Sequence, residues 1–82
     1  MLEQLNYIEL ASLRRWMKRR GYSEGTIRNV ISNLNRMMEE KKRILAPDEA
    51  KEEYWGCAKE LRHWRRYAAK IYEEYRKKVK RV

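Results

Sequence analysis

The residues of this chain whose types and spacing suit chemistry are mainly lysines and arginines. A set of basic side chains repeats at helical spacing along one side of the C-terminal segment: Lys59, Arg62, His63, Arg66, Lys70 and Lys77. Lysine and arginine donate hydrogen bonds to phosphate oxygens. Acids on this stripe are few (Glu73), so pairs within the helix cannot neutralise it. The pattern therefore indicates a surface for a polyanion.

The charge of the whole chain points the same way. The 82 residues include 21 Lys and Arg against 12 Asp and Glu, a net charge of +9. Residues 61–82 carry +7 of this excess, whereas residues 43–60 carry −2. A solvated Lys/Glu-rich surface, as in heat-stable proteins, is the competing interpretation. Because +9 exceeds what solubility of so small a domain needs, we favour polyanion binding.

The composition also argues against several classes of protein. One Cys and one His provide neither an intrachain disulfide nor the usual zinc ligand sets. There is no recognisable nucleophile–base pair and no Gly-rich phosphate loop, so we expect a non-enzymatic domain without a cofactor or small-molecule substrate. The sequence shows no signal peptide and no membrane-spanning segment, which predicts an intracellular, nucleoid-associated protein without a membrane partner.

Hydrophobic periodicity predicts an all-α fold in one domain, residues 1–82. Helix 1 is expected from about Leu2 to Arg20 and to end at Gly21, and helix 2 from the N-cap Ser23 to near Lys42. The apolar stripe of helix 1 comprises Leu2, Leu5, Leu10, Leu13, Trp16 and Met17. That of helix 2 comprises Ile27, Val30, Ile31, Leu34, Met37 and Met38.

The second half of the chain allows two interpretations. Asp48 is expected to cap a short helix 3 (about 49–55), followed by a long helix 4 (about 57–79) after a break at Gly56. One continuous helix is the alternative, because apolar residues repeat at 3,4 spacing through the segment: Tyr54, Cys57, Leu61, Trp64, Ala68, Ile71 and Tyr75. We predict that Ile44 and Leu45 enter the core and that Cys57 is a small core residue. A core is also expected between helices 1, 2 and 4, formed by Trp16, Leu34, Leu61 and Trp64.

Two segments resemble a known family. Trp16–Leu34 contains a basic, aromatic helix end, Gly21-Tyr22-Ser23, then Thr26-Ile27 and further apolar positions. Residues 60–68 (Glu-Leu-Arg-His-Trp-Arg-Arg-Tyr-Ala) form the second segment. Both are similar to the N-terminal core-binding domain of tyrosine recombinases, the phage-type integrases. The resemblance covers roughly residues 8–75, and it departs from the family at Gly56-Cys57 and in lacking the catalytic domain.

The resemblance implies a compact four-helix, SAM-like bundle that clamps double-stranded DNA during site-specific recombination, alongside other recombinase protomers. The implied DNA-binding residues lie near the end of helix 1 and on the exposed sides of helices 2 and 4: Arg15, Lys18, Arg19, Ser23, Arg28, Asn29, Ser32, Asn33, Arg36, Lys59, Arg62, His63, Arg66 and Lys70. Arg and Lys would contact phosphates.

Base contacts and rival functions stay open at this point. Asn29 and Asn33 have the chemistry to read adenine, and Arg28 or Arg36 guanine, but solvated polar surface explains the two asparagines equally well. For His63 we favour an ordinary surface position. A stand-alone DNA-binding regulator or a helical protein-interaction module are the alternative functions.

Overall fold

Four α-helices make up the part of the chain that the structure describes. The computed structural model describes residues 7–79, with side chains described for residues 9–78. The helices are α1 (Tyr7–Arg19), α2 (Glu24–Lys41), α3 (Pro47–Glu53) and α4 (Lys59–Val79), and residues 7–79 contain no strand. This confirms the all-α, four-helix prediction. The predicted start of helix 1, with Leu2 and Leu5, lies outside the described residues.

The longest helix, α4, packs against each of the other three. Its inner side joins α1 and α2 in the main core, which consists of Leu13, Met17, Ile27, Val30, Leu34, Ala68, Ile71, Tyr72 and Tyr75. A smaller cluster joins α2 and α3 to α4 through Met37, Leu45, Ala50, Tyr54 and Ala69. Burial of each large side chain contributes about 1.5–3 kcal/mol, so these two clusters set the positions of the helices.

Two local motifs turn the chain between α1 and α2. Gly21 has a φ of +93°, its N–H bonds the Lys18 carbonyl, and the Tyr22 N–H bonds the Met17 carbonyl. This pair of bonds is a Schellman motif, which needs a left-handed residue where Gly stands. The Ser23 hydroxyl then accepts the Thr26 N–H at 3.2 Å and caps α2. Both predicted helix boundaries at this corner are confirmed.

The start of α3 differs from the prediction. Asp48 does not cap it, because the helix already begins at Pro47, whose fixed φ suits the first helical position. Ala46 occupies the N-cap, and its N–H donates to the Glu49 carboxylate at 3.0 Å. Leu45 is buried and Ile44 packs against both clusters, as expected for the preceding loop.

The break between α3 and α4 is real, so the continuous-helix alternative is wrong. Residues 54–58 form turns in which the Trp55 N–H bonds the Glu52 carbonyl and the Cys57 N–H bonds the Tyr54 carbonyl. Tyr54 can thereby point into the smaller cluster.

The same break overturns two core predictions. Cys57 is exposed because it lies in the turn rather than on the inner side of a helix. Leu61 lies in the first turn of α4 and is 37% exposed. Leu34 is fully buried as predicted, whereas Trp16 and Trp64 are only partly buried against the main core.

Candidate nucleic-acid interface

The outer face of α4 presents cations that the rest of the described chain leaves unpaired. Lys59, Arg66 and Lys70 are exposed and, like Lys77 farther along, make no ion pair within residues 7–79. The opposite side of the helix is held in the core by Ala68 and its neighbours. We define the outer face of α4 as Lys59, Arg66, Lys70 and Lys77.

Several acidic side chains form ion pairs away from these cations. Ion pairs within the described residues include Lys18–Glu24 at 3.4 Å, Arg20–Glu74 at 4.0 Å, Lys41–Glu53 at 2.9 Å, Arg43–Glu49 at 2.8 Å and Arg65–Glu40 at 3.1 Å. Most lie at helix ends and connections, where they join neighbouring elements. None of these acids pairs with Lys59, Arg66, Lys70 or Lys77, so these four cations outnumber the exposed Glu73 on the same side of α4.

Arg62 differs from its neighbours on the predicted stripe. Its guanidinium carbon lies 5.0 Å from the centre of the Trp55 ring, and Nη1 donates to the Trp55 carbonyl at 3.1 Å. A cation over an indole face is attracted by the ring quadrupole. Arg62 is therefore anchored to the α3–α4 turn rather than extended into solvent.

His63 is exposed, in agreement with the surface position favoured for it. Its ring is stacked on Tyr67, with centroids 6.1 Å apart and planes 9° apart, and meets Trp64 edge-on at 5.7 Å. Tyr67 and Trp64 in turn pack against the main core. These contacts fix the imidazole beside the outer face of α4.

The predicted residues of α2 and its N-cap are of three kinds: exposed residues, the N-cap Ser23 and the half-buried Asn33. Arg28, Asn29, Ser32 and Arg36 are exposed along the helix. Ser23 is occupied as the N-cap of α2.

Asn33 is half-buried and bonded within the protein. Its Nδ2 donates to the Asn29 carbonyl at 2.6 Å, and its Oδ1 accepts from Arg65. Because both ends of the amide have partners, we leave Asn33 out of the proposed contact surface.

Near the end of α1, Arg15 and Arg19 are exposed and make no ion pair within residues 7–79, whereas Lys18 pairs with Glu24 across the corner. Lys18 and Glu24 are both largely exposed, so this pair contributes little to stability and leaves the lysine accessible. The α1–α2 corner thus carries further exposed cations besides those of α4.

One residue that sequence reasoning missed connects the helices that carry these cations. Arg65 is 4% exposed and lies between α2, α3 and α4. Its Nη1 bonds Asn33 and its Nη2 pairs with Glu40 at 3.1 Å, while its guanidinium lies 5.3 Å from the centre of the Tyr54 ring. We call Arg65, Asn33, Glu40 and Tyr54 the Arg65 junction.

Hydrogen bonding and burial shift two pKa values at the junction. The Tyr54 hydroxyl donates to Glu40 at 2.6 Å, and this bond, with help from Arg65, holds the pKa of Glu40 below its usual range. Burial, reinforced by the same bond, raises the pKa of Tyr54 to about 12. Nε of Arg65 has no partner among the described residues. The junction is thus a charged but locally compensated connection.

The junction also brings two predicted surfaces together. On α2, Asn29 and Arg36 lie one helical turn from Asn33. On α4, Arg66 follows Arg65 directly. The bond between Arg65 and Asn33 therefore joins α2 to α4 near these exposed residues, although Arg66 itself points away from the junction.

Sequence reasoning could not have found the junction, because the Arg65–Glu40 pair links residues 25 positions apart on different helices. The one sequence feature that suggests burial of Arg65 is its position beside the apolar stripe of the C-terminal helix.

The described residues show no arrangement typical of metal chemistry or a membrane span. No group of three or more His, Cys, Asp or Glu within the described range could hold a metal ion. No helix of that range is long and apolar enough to cross a bilayer.

Comparisons with known proteins return no match: no family model, no curated protein and no solved structure is similar to this chain. The fold and the site thus define a small all-α bundle with a cationic helix face. The resemblance to recombinase core-binding domains stays a prediction from the sequence.

Proposed function

We propose that this chain binds double-stranded DNA through the outer face of α4 and the adjoining exposed side of α2. The observation that carries the proposal is the row of exposed cations on α4 that lack ion pairs within residues 7–79, in a chain of net charge +9. Such a row neutralises phosphates and releases their counterions on binding. Arg28, Asn29, Ser32 and Arg36 lie exposed on the neighbouring helix and are the candidates for contacts to base edges.

The first test is the salt dependence of binding to a labelled duplex. Each neutralised phosphate contributes about −0.9 to the slope of log K against log salt. Four contacts from the outer face of α4 would give a slope of roughly −4. Binding that does not depend on salt, or no binding at low salt, would refute the proposal.

A matched pair of charge reversals tests the orientation of the domain. Arg66→Glu and Lys51→Glu change the net charge equally, and both side chains are exposed. Arg66 belongs to the outer face of α4, whereas Lys51 lies on α3 in the acidic segment. Arg66→Glu should weaken all fully paired duplexes similarly and reduce the salt slope by about 1, while Lys51→Glu should have little effect on these duplexes. If Lys51→Glu lost more DNA affinity than Arg66→Glu, and circular dichroism showed both proteins folded, DNA would bind on the α3 side of the domain.

We further propose that the chain is a non-catalytic, DNA-clamping domain of a tyrosine recombinase. The support is the order of the resembling segments, together with the use of Gly21 and Ser23 as helix caps at the α1–α2 corner. Footprinting distinguishes this part from that of a stand-alone regulator. Protection of a recombination attachment site is expected, and protection confined to promoters would favour the regulator.

A further inference from the structure

An indole ring stands at the edge of the cationic surface, exposed but held in place. Trp55 is 64% exposed, unlike Trp16 and Trp64, which pack against the main core. Its backbone N–H bonds the Glu52 carbonyl at 3.2 Å. Arg62 covers the ring at 5.0 Å and bonds the Trp55 carbonyl. A large aromatic ring that is already ordered loses little conformational entropy when it binds a partner.

The surroundings of this ring limit what can bind there. The ring borders an open cleft on α3 of about 580 Å³, together with Asp48, Lys51 and Glu52. A planar group that entered this cleft would meet the indole, a cation and two carboxylates. Carboxylates accept hydrogen bonds from the amino groups of nucleobases, as they do from cytosine N4.

The position of Arg62 connects the ring to the proposed DNA surface. Arg62 lies about one turn from Lys59 and from Arg66 on α4. Aromatic rings beside a row of cations are typical of sites for unpaired nucleic acid, in which the cations follow the backbone and the rings stack on bases. Bases within an intact duplex are stacked on one another, whereas an unpaired base can reach such a ring.

We propose that Trp55 stacks on an unpaired base of DNA whose backbone lies along the outer face of α4. This inference rests on the proposed function and narrows its substrate class. The preferred DNA is a duplex that contains an extrahelical or unpaired base rather than a fully paired one.

The experiment compares two DNAs that differ at one position. A fully paired duplex and the same duplex with one extrahelical cytosine are titrated with the wild-type chain, Trp55→Ala and Trp55→Tyr. Stacking of one base contributes about 1–3 kcal/mol, which corresponds to a preference of about 5- to 150-fold for the bulged duplex. Trp55→Ala should remove this preference, so that the variant binds the two DNAs with equal affinity. Trp55→Tyr should keep part of it, because a ring remains.

The outcomes separate this inference from the proposed function. Equal wild-type affinities for the two DNAs, or a preference that survives Trp55→Ala, would overturn the inference. It would also be overturned if Trp55→Ala changed the sedimentation of the DNA-free chain, since the ring would then be covered by a second copy. In each case salt-dependent duplex binding that Arg66→Glu weakens would leave the proposed function standing. Failure to bind either DNA at low salt would refute the proposed function itself.

Discussion

Arg65 and Arg66 are neighbours in the sequence, but they belong to opposite parts of the molecule. Arg65 is 4% exposed and bonded to Asn33 and Glu40, beneath the ring of Tyr54. Arg66 is exposed and has no ion pair within residues 7–79. A helix rotates by about 100° per residue, and this rotation places one arginine in the Arg65 junction and the next on the outer face of α4.

The contrast shows that charge alone does not identify a binding residue. A buried arginine must be compensated by acceptors inside the protein, and its charge is then unavailable to a ligand. Exposing an arginine without a partner costs little free energy, because water solvates the guanidinium, and its charge stays available to a ligand. Substitutions should therefore change mainly folding stability at the junction and mainly DNA affinity on the outer face.

The largest expected effect on stability is that of Arg65→Ala. The substitution removes a buried side chain and with it the contacts that Asn33 and Tyr54 each make with Arg65. Because Glu40 is partly exposed and can be solvated, we expect a loss of about 2–3 kcal/mol, below the range for a fully buried pair. Urea denaturation followed by circular dichroism measures it. A loss below about 0.5 kcal/mol, typical of a surface substitution, would contradict the structural role of the junction.

Tyr54→Phe tests the same junction with a smaller expected loss of stability. The substitution keeps the ring in the smaller cluster and removes the hydroxyl that donates to Glu40 at 2.6 Å. A hydrogen bond to a charged but partly solvated acceptor suggests a loss of about 1 kcal/mol. In the double variant with Glu40→Ala the two losses should not add in full, since both substitutions remove the bond between Tyr54 and Glu40. Additive losses would show that the hydroxyl and the carboxylate act independently.

Acid titration examines a contact outside the junction. Glu49 bonds Arg43 at 2.8 Å and the Ala46 N–H at 3.0 Å, which together lower the pKa of Glu49 from 4.5 to about 2. Because this pKa is lower in the folded state, the stabilisation is present above about pH 4.5 and is lost as the pH falls to about 2. The stability difference between the wild type and Glu49→Gln should shrink over this range. Arg43→Gln should reduce the same acid dependence, and a difference that does not vary between these pH values would exclude the contact.

The smallest expected effect on stability is that of Arg66→Ala. Its side chain points away from the core and has no partner within the described residues, so the free energy of unfolding should change by less than about 0.5 kcal/mol. Its effect on DNA affinity should nevertheless exceed that of Lys51→Ala, a matched exposed cation on α3. If Arg66→Ala destabilised the protein as much as Arg65→Ala, the contrast between the two arginines would fail.

Much of the fold could be predicted from the sequence because its signals are local. The caps at Gly21 and Ser23, the apolar stripe of α2 and the burial of Leu45 all follow from short-range spacing. The prediction for Cys57 was wrong because the phase of the stripe was carried across the break before α4. Leu61 keeps the phase of the stripe but lies in the first turn of α4, outside both core clusters.

The candidate site was predictable to a smaller extent. The exposure of Arg66 and Lys70 followed from helical periodicity. The engagement of Arg62 with Trp55, and of Asn33 with Arg65, depended on contacts between different elements. Residue spacing within one helix carries no information about such partners.

By itself, the sequence determined that this protein is an all-α domain with a strong positive charge concentrated toward the C-terminal end. Both properties follow from composition and local periodicity, and neither requires knowledge of how the helices meet. Only the tertiary structure decided which of the charges stay available. Burial among α2, α3 and α4 compensates Arg65, while Arg66 remains free of ion pairs within the described residues, because packing assigns one side of α4 to the core and the other to solvent.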